Sequence, residues 1–372
     1  LRELRSNRNK ITAIDVTVND SLVLFEVGRN ELTSVTGINN KPILEKLSIH
    51  NRQHDPEPRN KVDSLDASGS PLLDVIFAEY NNLSFINVAG SKLIETINVN
   101  GNQLTNIDLS TVDSLKYLFA EKNLLTELDL SNNTNLRLLD LDRNKLTSLD
   151  LSKNTLLTKL HLSDNNLTSL DLSKNLLLRE LWSIRNAITS IDMAANDSLV
   201  FFSLGSNSLR KVTGVNNKPI MEEFYIHNVP HYGEVANNKV DTLDVSGSPL
   251  LDKIRAEHNN LSFIDVTGSK LITDIIVDDN QLTNIDLSTV DSLKWLQARK
   301  NPLTKLDLSK NTNLLGLYLE NNDKLDSLDV SNNKKLYVLT VLHSDELKYL
   351  NMKNGMMKMT VFDARFTPKL TC

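Results

Sequence analysis

Leu, Ile and Val recur along the chain at fixed places between polar residues. The stretch from Leu136 to Ser152, LRLLDLDRNKLTSLDLS, shows the unit in full. It generalises to LxxLxLxxNxLTxLDLS followed by four or five polar residues. The Asn of the unit falls at positions 9, 30 and 51, then 60, 81, 102, 123, 144, 165, 186, 207 and 228, then 238, 259, 280, 301 and 322. Within each run the step is 21 residues, a period that signals stacked repeats rather than a string of globular domains. Seventeen units begin at Leu1, Leu22, Leu44, Leu73, Ile94, Leu115, Leu136, Leu157, Leu178, Leu199, Met221, Leu251, Ile272, Leu293, Leu314, Leu336 and Met357.

The alternating LxL segment predicts a short strand with Leu pointing inward and its neighbours outward. One such strand cannot bury its own apolar side. Parallel stacking makes a continuous Leu core in which each unit depends on those either side. The ladder Asn sits where the chain turns away from the strand, and its amide can both donate to and accept from backbone groups left unpaired there. Asp or Leu at that place would lose the donor. The LTxLDLS half is expected to return along the opposite side. Its recurring Asp, at 15, 66, 108, 129, 150, 171, 192, 244, 265, 286, 307 and 329, raises the idea of bound calcium. Carboxylates one repeat apart supply few ligands each, however, and such Asp side chains commonly hydrogen-bond the following turn. The structural reading is the stronger.

These residues resemble the leucine-rich repeat, over all of residues 1–372. The resemblance implies an α/β-type solenoid dominated by short parallel β-strands, a right-handed superhelix shaped as an arc or horseshoe with a mostly non-helical convex side. The 21-residue unit lacks the longer helical segment of the ribonuclease-inhibitor class. Its LTxLDLS half is similar to the bacterial type of surface and secreted proteins, internalin-like in a broad sense. The C-terminal stretch LKYLNMKNGMMKMTVFDARFTPKLTC resembles the closing segment of secreted leucine-rich repeat proteins of the Bacteroides and Flavobacterium lineage. In that family the chain runs on past this Cys, and Leu1 already lies inside a repeat. The expectation is the repeat core of a longer exported protein, outside the cell or on the outer surface of a Gram-negative bacterium.

A longer period overlies the short one. Residues from about 9 to 157 recur at 186 to 335, offset by 177 up to Asn51 and by 178 from Asn60. The two copies share NQLTNIDLSTVDSLK at 102–116 and 280–294, and GINNKPI at 37–43 against GVNNKPI at 214–220. The outward strand positions, third and fifth in each unit, behave differently. Leu24 faces Phe201 in this comparison, Ser48 faces Tyr225, Phe77 faces Arg255, Tyr117 faces Trp295, Phe119 faces Gln297, Leu138 faces Gly316 and Asp140 faces Tyr318; only Glu3 and Glu180 match. Convex residues of comparable exposure have stayed the same. Divergence of a concave binding surface accounts for this better than drift.

Both Trp residues and six other aromatics fall on those columns: Phe77, Tyr117, Phe119, Trp182, Phe201, Tyr225, Trp295 and Tyr318. Exposed aromatics rimmed by charge mark partner sites. The acidic neighbours Glu79, Glu121, Asp140, Asp142, Glu180, Asp278, Asp279 and Glu320 favour a basic or neutral partner. Two centres of differing specificity are expected, near residues 75–121 and 180–225. Both copies also break the period at one place, with inserted loops at 50–61 and 227–239 carrying His50 and His54, then His227, His231 and Tyr232. Loops from a fixed strand edge often carry function, so these residues are candidate contacts. A metal site on either His pair is disfavoured, because Pro56, Pro58, Pro230 and Gly233 argue against the helix that would align them.

Composition narrows the function further. The net charge of −6, from 41 Lys and Arg against 47 Asp and Glu, argues against a nucleic-acid partner. A single Cys, Cys372, excludes a disulfide framework, and no apolar stretch approaches the length of a membrane span. No Gly-rich phosphate loop, Gly-x-Ser-x-Gly elbow or His-Glu-x-x-His occurs, and Asp140 with His161 one repeat on reads as a solvated surface pair. No cofactor or metal is expected. The sequence therefore points to a non-enzymatic module that binds a protein or peptide through its concave face and loops. A glycan-binding adhesin and a passive spacer are the alternatives.

Overall fold

The computed structural model describes residues 1–54, 59–228, 237–353, 355 and 359–371. The chain divides into two compact units, Leu1–Leu178 and Arg179–Cys372. In the first, the strands Glu3–Arg5, Leu24–Glu26, Lys46–Ser48, Val75–Phe77, Thr96–Asn98, Tyr117–Phe119, Leu138–Asp140 and Lys159–His161 form a parallel sheet. Neighbours pair without stagger: Leu47 lies opposite Ile76, and Leu118 opposite Leu139. The second unit repeats the construction with Glu180–Trp182, Phe201–Ser203, Glu223–Tyr225, Lys253–Arg255, Asp274–Ile276, Trp295–Gln297, Gly316–Tyr318, Val338–Thr340 and Val361–Asp363. Each unit is thus a parallel β-solenoid. No helix occurs among the described residues, and the return side consists of turns and short strand pairs such as Ser64–Asp66 with Phe85–Asn87.

The unit beginning at Leu136 shows why these residues coil. Leu136, Leu139, Leu141, Leu146 and Leu151 are all fully buried, while Arg137, Arg143, Lys145, Thr147, Ser148 and Asp150 between them are exposed. Burying a Leu side chain stabilises by roughly 1.5–3 kcal/mol, and here the burying surface belongs to the adjacent coils.

The corner after each strand is held by the ladder Asn. Asn144 donates through Nδ2 to the carbonyls of Leu141, 3.0 Å away in its own coil, and Ala120, 2.9 Å away in the preceding one. Its Oδ1 accepts from the amide of Leu125 at 3.0 Å. Asn102, Asn123, Asn165, Asn280 and Asn301 repeat the donor pattern. The residue before the Asn adopts a left-handed conformation, at φ 56° for Arg143 and 59° for Lys122. For side chains other than Gly this costs about 1 kcal/mol or more per residue, a cost the side-chain amide bonds offset.

A second buried column stands three residues before each unit begins. Asn133 and Asn154 occupy it, each donating to two carbonyls of the preceding coil, and Ser70 and Ser91 take the place elsewhere. In the GINNKPI and GVNNKPI segments the residue is Lys. Lys41 and Lys218 are only 2% and 1% exposed. The Lys218 ammonium donates to the carbonyls of Met193 at 2.8 Å and Ala194 at 3.4 Å and to Asp197 at 2.9 Å; Lys41 makes the bonds matching the last two, to Thr17 and Asp20. The near-identity of these segments has a physical cause: a buried cation with fixed partners.

The inserted loops leave the coil through a clamp of two Asn residues. Asn51 donates to the carbonyl of Asn60 at 2.9 Å while its Oδ1 accepts from the Asn60 amide at 3.1 Å. Asn60 then makes the ladder bonds, to Val27 and Ile49. Asn228 and Asn238 do the same in the second unit.

Asn144→Asp keeps the acceptor, loses both donors and buries a charge. Urea unfolding followed by circular dichroism is expected to show a loss of about 3 kcal/mol; an unchanged midpoint would mean that the ladder bonds contribute little.

Candidate functional site

Residues three and five of each unit stand on the outward face of the sheet, as the period-two pattern requires. On the second unit the aromatics among them touch. The rings of Trp182 and Phe201 stack at 4.3 Å and 22°, and Phe201 meets Tyr225 edge-on at 5.4 Å and 86°. Tyr225 in turn meets His227 at 6.1 Å and 77°. Trp182 and Tyr225 lie either side of Ser203 in the register, and Ser203 is fully buried. Its small side chain leaves room for Phe201 to lean across from the neighbouring column.

Polar bonds fix the rim of this cluster. Trp182 donates from Nε1 to Glu180 Oε1 at 2.8 Å, and the Tyr225 hydroxyl donates to Glu223 Oε2 at 2.6 Å. The Lys253 ammonium reaches Glu223 Oε1 at 2.9 Å. Desolvation raises the Glu223 pKa, but the bonds from Lys253 and Tyr225 outweigh it and leave the carboxyl below its ordinary range. Partial burial, reinforced by Glu223, pushes the Tyr225 phenol well above its usual value. His227 falls below its usual value, first through burial and then through the charges of Arg255 and His258, so it favours the neutral ring.

Further along this unit Trp295 packs on Tyr318 at 6.4 Å and edge-on to Tyr337 at 5.7 Å. Gly316 makes room for it, since a Cβ there would come within 2.3 Å of the indole. The Arg299 guanidinium sits 4.6 Å from the Tyr318 ring centroid and bridges Asp278 at 3.0 Å and Glu320 at 2.7 Å. Tyr337 was not among the residues anticipated from sequence, because it stands at the second position of its unit; the Gly at the third position of the preceding unit is its only sequence signal.

The first unit arranges its aromatics differently. Among the described residues no ring pair joins Phe77, Tyr117 and Phe119. Phe77 has the Lys46 ammonium 5.6 Å from its centroid, Tyr117 is 37% exposed, and Phe119 is half-buried. This unit instead concentrates acid. Asp140 lies directly opposite His161 in the register, and Asp142, two residues on, brings a second carboxylate. Donor atoms of all three lie within 4.8 Å of one another. All three side chains are half-buried, so the solvated pair expected from sequence is a partly enclosed trio. Burial pushes Asp142 up to about 6, helped by Asp140; Asp140 is also raised by burial, against the opposing influence of the Asp142 amide and His161. Glu79 is held up at about 7 by desolvation, though Asn98 donates to its Oε1 at 2.8 Å.

Of the loop residues, His50 is half-buried with Nδ1 2.7 Å from the Ser48 hydroxyl, and His54 is exposed. His231 and Tyr232 lie outside the described residues. Among the described residues no group of three metal-ligating side chains includes a loop histidine. The LDLS carboxylates serve the turns. Asp129 and Asp150 accept from the amides of Ser131 and Ser152 at 2.9 and 2.8 Å, and these bonds hold both carboxyls below the ordinary range.

No protein-family model matches the chain, and no curated protein matches it. Solved structures do. The functional domain of InlJ from Listeria monocytogenes, described as including a cysteine ladder, is 29% identical with a TM-score of 0.61 over 75% of this chain; the chain spans 62% of that domain. YopM from Yersinia enterocolitica is 22% identical with a TM-score of 0.56, over 98% of this chain and 87% of its own. A plant peptide hormone receptor, RGFR1 in complex with RGF2, is 17% identical with a TM-score of 0.60, over 94% of this chain and 63% of its own. The last two likenesses show the fold alone. The bacterial neighbours are leucine-rich repeat proteins, and this chain is a leucine-rich repeat solenoid like them. With one Cys in the sequence it has no counterpart to the cysteine ladder. Among the described residues no helix is long and apolar enough to cross a membrane.

The raised pKa of Glu79 has a consequence for stability. The folded chain binds this proton more tightly than the unfolded chain, so the stability it confers is complete below about pH 4.5 and is lost as pH rises through about 7. Glu79→Gln is expected to flatten the fall in unfolding free energy, measured by urea titration, between pH 5 and pH 8, by up to roughly 3 kcal/mol. An equal fall in both proteins would show that Glu79 ionises freely in the fold.

Proposed function

We propose that this chain is a non-enzymatic recognition module that holds a protein or peptide on the outward face of its main sheet. The observation that carries the reading is the interlocked set of Trp182, Phe201 and Tyr225. The solenoid core is already complete beneath these rings: Leu181, Phe202 and Phe224 are fully buried on the inner side of the same strands. Large amphipathic rings held by their neighbours lose little freedom on binding, which is why such residues dominate interface energetics. The flanking Glu180 and Glu223 favour a partner with basic or donor-bearing side chains around an apolar centre. The likeness to InlJ and to a receptor determined in complex with RGF2 is in keeping with a binding role. Export to the outer surface of a Gram-negative cell fits the bacterial repeat type.

A peptide-display selection on the immobilised chain tests this. Binders are expected to lose about 30-fold or more in affinity on Trp182→Ala, the 2 kcal/mol of an interface hot spot, with the circular dichroism melt unchanged. Equal affinity would move the site to the loops or the return side. Signal confined to a glycan array would favour the adhesin alternative.

A further inference from the structure

We propose that Asp140, Asp142 and His161 form a site for one divalent transition-metal ion of the zinc class. The site lies on the outward face of the first unit, and three observations carry it.

The donors are prearranged. Asp140 and His161 are register partners on adjacent strands, so backbone pairing sets their separation. Each carboxylate has one oxygen held by the backbone. Asp142 Oδ1 accepts from the Ser163 amide at 2.5 Å, and Asp140 Oδ1 accepts from the Asp142 amide at 3.3 Å. Each keeps a second oxygen for a ligand, the arrangement by which outer-shell bonds orient metal-binding side chains. Donor atoms around a tetrahedral zinc lie about 3.4 Å apart, so a small side-chain rotation closes a set already within 4.8 Å.

The donor types select the ion. Two carboxylate oxygens and an imidazole nitrogen suit zinc, cobalt or manganese; calcium prefers six to eight oxygens.

The duplication supplies an internal contrast. Offset by 178, Glu121 and Asp142 correspond to Arg299 and Glu320. In the second copy Arg299 neutralises Asp278 and Glu320. In the first, the same place is held by an acid. Among the described residues no Lys or Arg pairs with Asp140 or Asp142; Arg143 lies 3.4 Å from Glu121 and 3.9 Å from Asp164 instead. The first copy therefore keeps negative charge that the second cancels internally, and a bound cation would complete it.

The test uses the chain stripped with chelator and titrated with Co2+, reading visible d–d absorption, with Zn2+ competition for affinity. The wild type is expected to bind one equivalent. His161→Ala is expected to weaken binding beyond the roughly 10–100-fold that loss of an outer-shell partner costs. Glu121→Arg, which installs the second copy's cation without removing a ligand, is expected to do the same. His54→Ala serves as the control and leaves the spectrum intact. Circular dichroism melts verify folding, and Glu121→Arg decides the matter if His161→Ala fails to fold. Absence of a cobalt spectrum in the wild type, or its retention in both His161→Ala and Glu121→Arg, overturns the proposal.

Discussion

A coil with only three-residue strands leaves most of its backbone polar groups outside any sheet, and many of them are buried. The structure depends on satisfying those groups at the corners. The ladder Asn does this with one small side chain that reaches both its own coil and the preceding one, as Asn144 does to Leu141 and Ala120. Hydrophobic stacking supplies the driving force, but the amide sets the geometry. It lets residues such as Arg143 and Lys122 hold a left-handed turn that would otherwise be reserved for Gly.

Most of this architecture was legible because it is periodic. The strand positions, the inward Leu residues and the bonding role of the Asn follow from the unit alone, and the structure shows each. What periodicity hides is the exception within a column. Lys41 and Lys218 stand where Asn or Ser is the rule, and nothing in the chain announces that these two ammonium groups are buried beside backbone carbonyls. The site was legible by column but not by contact. Alternation places Trp182 and Phe201 on one face. Their stacking runs diagonally between columns, and depends on the small size of Ser203 between Trp182 and Tyr225. The pairing of Asp140 with His161 could be read from register; the approach of Asp142 from beyond the strand end could not.

The two copies separate what the coil needs from what it tolerates. The column before each unit is the same in both, from Asn19 and Asn196 through the buried pairs Lys41 and Lys218, Ser70 and Ser248, Ser91 and Ser269, and Val112 and Val290, to Asn133 and Asn311. The outward columns differ almost everywhere. The leucine core and the corner bonds lie on the other side of the strands, so the identity of the outward side chains was free to change once the corners were secure. The second unit carries interlocked rings and an arginine bridging two acids, the first a concentration of carboxylates beside an imidazole.

The Asn clamp at the base of each insertion has a further implication. Because Asn51 binds Asn60, and Asn228 binds Asn238, on both the amide and carbonyl sides, the coil closes at the clamp whatever lies between. The intervening segments share almost no sequence, and one is a residue longer than the other, yet the strands before and after them keep their register. The clamp behaves as a cassette boundary. Segments of other length and chemistry could be grafted between the two asparagines without disturbing the solenoid, and evolution has had that same freedom at this point of the chain.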